Sequence, residues 1–218
     1  MTRRSVSPRE LAASTGGAGL AALTRLVAAL RPAAKPLHPR GDLVTARLTR
    51  RGLPRPVGAP WLDGSGTDEV LVRRSRAVGL PDGWPDIHGL AVRVPLEGGG
   101  HGDLLLAMTG TGTLSRFVLT VGRTPYSRPL TTLLPYRTPA GPRLVGAVAR
   151  GEQRYELAVA APGGDWEPFA TLELSTTTGP DPVLSFDPVR NTLPGLETYE
   201  WVRRLREPAY ATARHSRR

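Results

Sequence analysis

Two places in this chain combine residue types that could do chemistry. The first is His38, held between Pro36 and Pro39 in the run PLHPRG. A histidine in such a run has a stiff backbone and serves neither a helix nor a strand. Its imidazole titrates near neutral pH, so it can take up a proton and return it. The plain alternative is a solvated loop residue. The second place is Arg206-Glu207-Pro208-Ala209-Tyr210. On a continuous helix Arg206 and Tyr210, four apart, share a face. A free phenol has a pKa of about 10, so holding it ionised at neutral pH takes an adjacent cation or a metal. Arginine suits that task because it does not give up its charge. The structural alternative is a tyrosine packed beneath an arginine. Pro208 bears on the choice. It either breaks the helix, at about 3 kcal/mol in a helix interior, or starts a new turn and rotates Tyr210 off the Arg206 face.

Other chemical signatures are missing. The four histidines, His38, His88, His101 and His215, are far apart in sequence and form no H-x-x-x-H pair. A hydrolytic metal centre would call for a denser His/Asp set. TGTGT at 109–113 lacks the Gly-Lys-Ser/Thr ending of a phosphate loop and reads as a turn. There is no G-x-S-x-G elbow. With no cysteine, disulfides, thiolate catalysis, iron–sulfur clusters and Cys-type zinc sites are excluded.

At 218 residues the chain suits one domain with a short appendage: a tail and helix over 1–35, and a domain over 36–218. Residues 19–31 read as an amphipathic helix, with Leu20, Leu23, Val27 and Leu30 at helical spacing and Pro32 ending it. After the proline-rich stretch 32–41 the period shortens. Strands are expected over 43–49, 69–75, 89–94, 103–108, 116–121, 143–149, 154–160 and 168–175, separated by turn-rich runs such as GSGTD and EGGGHGD. Eight short strands without crossover helices predict a mainly β, α+β fold: an antiparallel barrel or sandwich with a helix near each end of the chain. Residues 195–214 read as mostly helical.

The net charge of +10 invites a nucleic-acid reading. Two features oppose it. Lys35 is the only lysine, and the Ala, Gly and Pro content points to compositional bias; aromatics, at 6%, give bases little to stack on. No segment reaches the roughly 20 apolar residues of a membrane span, and Arg25 interrupts the longest candidate. Neither nucleic acid nor a membrane is therefore expected as a partner, and a cytoplasmic location is expected.

Taken in order, the motifs resemble the haem-dependent catalase superfamily. The resemblance spans roughly residues 36–214. It comprises His38-Pro39-Arg40-Gly41, Val72-Arg73-Arg74-Ser75, Asp86-Ile87-His88-Gly89-Leu90-Ala91-Val92, Asp103-Leu104, Phe186-Asp187-Pro188, Pro194-Gly195, and Arg206 to Tyr210. It implies a catalase-like barrel of about eight strands whose mouth, closed by the C-terminal helix, holds haem. It further implies Tyr210 as the tyrosinate ligand to iron, with Arg206 keeping it ionised. His38 would move the peroxide proton, with Ser75 orienting it. Arg73 and Arg214 would pair with the haem propionates. The substrate would be hydrogen peroxide or an organic hydroperoxide. The chain departs from the family pattern where His88 replaces an arginine, and where Ala107 falls near the place of the distal asparagine. It lacks the aromatic residue before Tyr210 and the Asp-Thr after it, and it is far shorter than a full catalase. Two other readings stay open: a haem-free barrel binding a small or lipid-like molecule, and a phosphodiesterase-type hydrolase.

Overall fold

Alternation of apolar and polar residues builds the architecture. In β1 (Gly41–Arg51) Val44, Ala46 and Leu48 are buried, while Thr45, Arg47 and Thr49 are exposed. The same period of two runs through β3 (His88–Pro95), which buries His88, Leu90, Val92 and Val94. The computed structural model describes residues 41–81, 83–179 and 184–204. The chain divides into two compact units, Met1–Lys35 and Pro36–Arg218. The first unit, with the helix expected over 19–31, lies outside the described residues.

The second unit is mainly β. Its strands are β1, β2 (Ser65–Arg76), β3, β4 (His101–Met108), β5 (Leu130–Thr131), β6 (Tyr136–Thr138), β7 (Gly141–Ala149), β8 (Arg154–Ala160), β9 (Glu167–Gly179) and β10 (Glu197–Thr198). The pairing order β7-β5-β4-β3-β2-β1-β9-β8 closes on itself through β7–β8. The result is a closed antiparallel barrel of eight strands, with β6 and β10 extending the sheet beside β7. An eight-stranded barrel has an interior that side chains can just fill. Val44, Leu48, Val72, Val92, Leu104, Leu106, Tyr155, Leu157 and Leu172 do so, as part of one continuous core.

One end of the barrel is plugged by the β1–β2 connection. It holds the single-turn helix α1 (Pro60–Asp63), which places Trp61 edge-on to Phe169 at 5.4 Å. Asp63 accepts from the backbone N–H groups of Val57 and Gly58, satisfying donors that the turn would otherwise strand.

Three expectations are corrected by the structure. Residues 116–121 form no strand: a 3-10 turn over Ser115–Phe117 stands there, and the barrel strand is β5. The cause is Arg116, whose buried guanidinium donates to the carbonyls of Thr111, Gly112, Ala161 and Gly164, so the chain winds around it. GSGTD is no separator, because the β1–β2 ladder runs from Gly41↔Ser75 to Arg51↔Ser65 and takes in most of it. The first residues of the expected C-terminal helix, 195–198, are not helical; helix begins at Glu200. Gly195 has φ +79, and a Cβ on it would meet Ala59 Cα at 2.4 Å, so a tight turn against α1 is built there instead. Residues 205–214 lie outside the described residues.

Candidate site on the outer wall of the barrel

Register decides which side chains share a face. On β1–β4 the inward set carries the apolar core, and the alternate residues face out. Gly41, Ser75, Gly89 and Ala107 are consecutive partners across these strands and form one outward row. Leu43, Arg73, Ala91 and Leu105 form the next. Four sequence motifs thus converge: the glycine after His38, the Arg-x-Ser of β2, the glycine after His88, and the alanine at the distal-asparagine place. The first row is almost without bulk. Ser75 is its only polar side chain, and a Cβ on Gly89 would stand 2.9 Å from Ser75 Oγ.

Arg73 is the unusual member. It belongs to the outward set, where Arg47 and Glu69 are well exposed, yet it is only 6% exposed itself. Leu43 beside it is also buried. Arg73 has partners of its own, as an enclosed cation requires, and its register neighbours are Leu43, Ala91 and Leu105. The seat expected at the barrel mouth differs from this wall. The barrel interior is packed, and Arg73 and Ser75 lie on the wall outside it, so a group they hold rests against the β1–β4 wall rather than within the barrel. Of the remaining predicted site residues, His38, Arg206, Tyr210 and Arg214 lie outside the described residues, and the structure does not bear on their positions.

The third outward row is a clasp. It contains Arg93 opposite Asp103. Asp103, whose side chain is fully buried, accepts from Arg93 Nε at 2.8 Å and Nη2 at 3.0 Å, from the backbone N–H of Asp187 at 2.8 Å, and from Asn191 Nδ2 at 2.9 Å. Arg93 also donates to Ser185 O and lies over the Phe186 ring at 4.7 Å. The Asp-Leu and Phe-x-Pro motifs therefore meet, joining the segment after β9 to the wall. The Pro-Gly motif does a similar job at the plugged end, where Pro194 O accepts from Trp61 N–H. Sequence reasoning missed Arg93 and Asn191; no local spacing marks them, because 88 residues separate Asn191 from Asp103.

At the opposite end Asp86 and His88 form a buried knot. Burial pushes the Asp86 carboxyl up, but donors from Val78, Gly79, Ile87 and Leu80 outweigh it and hold the group below the usual carboxylate value. Burial pushes the His88 imidazole down, partly opposed by its bond to Gly122 O at 3.1 Å and by Asp86. Inside the barrel, burial raises the Tyr155 phenol, so it stays neutral. Among the described residues no group of three or more His, Asp or Glu side chains could hold a metal ion. No protein-family model matches the chain, and no curated protein matches it.

Proposed function

We propose that the chain binds haem against the outer wall of β1–β4 and acts on hydrogen peroxide or an organic hydroperoxide. The observation that supports this reading is the register that sets Ser75, Gly89 and Ala107 in one outward row of small residues, one row from Arg73. Arg73 would neutralise a propionate, and Gly89 and Ala91 would let a flat ring approach the backbone. Ser75 is paired with Gly41, and His38 lies three residues earlier, a chain reach of at most about 11 Å. His38 would accept the proton of the peroxide and return it to the leaving oxygen, with Ser75 fixing the imidazole. Tyr210 would be the tyrosinate on the iron, with Arg206 holding it ionised and Arg214 taking a second propionate. When bound, haem supplies the iron at which the O–O bond is cleaved.

One observation favours a second reading, a haem-free barrel that binds a small or lipid-like molecule. Ala107 stands in the Ser75 row and supplies no amide to a peroxide. An absorption spectrum of protein produced with added haem separates the two. Tyrosinate ligation gives a high-spin ferric spectrum that Tyr210→Phe removes, while His38→Ala keeps the spectrum and loses peroxide turnover. Protein that takes up no haem leaves the second reading.

A further inference from the structure

We infer that the barrel end carrying the Asp86–Gly122 bridge docks on an anionic lipid bilayer. Two connections meet there, 77–87 between β2 and β3 and 109–129 between β4 and β5. Asp86 and Gly122 exchange backbone hydrogen bonds of 3.0 and 2.9 Å. Around this bridge three large apolar side chains face solvent: Val78 at 64% exposure, Trp84 at 63% and Val121 at 54%. Each is tied to the bridge by backbone. Val78 N–H donates to Asp86 Oδ1, Trp84 lies two residues before Asp86, and Val121 precedes Gly122. Arg123 donates to Gly83 O and so pins the turn that presents Trp84. Leu114 and Val118, also exposed, belong to the second connection. Scattered apolar residues need no explanation, but here the bridge gathers Val78, Trp84 and Val121 at one end.

Charge selects the partner. Connection 109–129 contains no Asp or Glu, while its Arg123 and Arg128 are exposed. In 77–87 the carboxylates are Asp86, enclosed by four backbone donors, and Asp82. Apolar tips with an indole, flanked by the exposed Arg123 and Arg128, match the boundary between anionic headgroups and acyl chains; Glu152, from the β7–β8 turn, accepts from Tyr126 on the same connection. Among the described residues no helix is long and apolar enough to cross a membrane, and surface docking requires none. This departs from the sequence reading, which set membranes aside because a span was missing.

The test is co-sedimentation of the full chain with vesicles of phosphatidylcholine alone and with added phosphatidylglycerol. Binding is expected only to the second kind and should weaken as salt rises. Trp84→Ala should lower the partition coefficient by about tenfold, and Arg123→Glu by severalfold, with unchanged melting temperatures. Binding that Trp84→Ala, Val121→Asp leaves intact would place the contact elsewhere and overturn the inference. Failure to bind either vesicle overturns it too. So does a concentration-dependent dimer that Trp84→Ala dissociates, since that assigns the patch to a second copy of the chain.

Discussion

The inner face of the β1–β4 wall carries the buried apolar core, whereas the outer face is buried only at a few places, such as Leu43, Arg73 and Asp103, and the two are buried for opposite reasons. Leu104 and Asp103 are neighbours in the chain, and neither exposes its side chain. Leu104 faces in, where any apolar group of similar shape is tolerated. Asp103 faces out, where one carboxylate serves Arg93, Asn191 and the backbone of Asp187. Packing fixes the inner face through many interchangeable contacts. The outer face depends on a few polar residues, each with its own partner.

The most damaging way to break this contrast is to remove Asp103. Asp103→Ala leaves Arg93 partly buried beside an empty place and frees the 184–196 segment, and should destabilise by about 4 kcal/mol. Leu104→Ala should lose about 3 kcal/mol through a cavity. Chemical denaturation measures both. The sharper comparison is replacement in kind: Leu104→Met should cost under about 1.5 kcal/mol, whereas Asp103→Asn, with similar shape, should remain severe because it cannot accept every donor. Equal recovery by both variants would remove the distinction between the faces.

Acid tests the knot at the barrel end, with a smaller effect. The folded His88 value lies below the ordinary imidazole value, so the unfolded chain binds the proton more readily. Its contribution is full above a pH of about 6.5 and is lost as pH falls from there through the folded value. Asp86 follows the carboxylate sign. Its contribution is full above about pH 4 and declines as pH drops through its lowered folded value. Stability should therefore decline in two windows. His88→Gln should remove the upper one, and Asp86→Asn the lower, as read from denaturation midpoints across pH.

These two faces also differ in how far the sequence exposes them. The inner face follows a period of two, so seven of the eight expected strand positions coincide with barrel strands. The exception, 116–121, has strand-like composition, but buried Arg116 bends it into a wrap that alternation does not encode. β5 is hidden because it is two residues long and follows Pro129. On the outer face, Arg73 and Ser75 stand out only through motif order. Their placement outside the barrel depends on register, which a single strand does not specify. Arg93, Asp103 and Asn191 become one site only after the chain has closed.

The smallest expected effect is the most specific to the proposed site. Gly89 has no positive φ, so alanine fits its backbone and should gain roughly 0.5 kcal/mol by restricting the unfolded chain. Its new Cβ, however, would stand 2.9 Å from Ser75 Oγ, too close unless Ser75 rotates. Gly89→Ala alone is therefore expected to be neutral or to destabilise by up to about 1 kcal/mol. In a Ser75→Ala background the obstacle is gone and the gain should reappear. A double-mutant cycle should thus show coupling of about 0.5–1 kcal/mol between two residues that lie on different strands. Additive changes would mean that the two side chains do not share the outward row. If the row also seats haem, Gly89→Ala should perturb the absorption spectrum of loaded protein by more than its stability change suggests, because the added methyl stands where the ring would approach the wall. A shift in stability with an unchanged spectrum would keep the row and discard the seat.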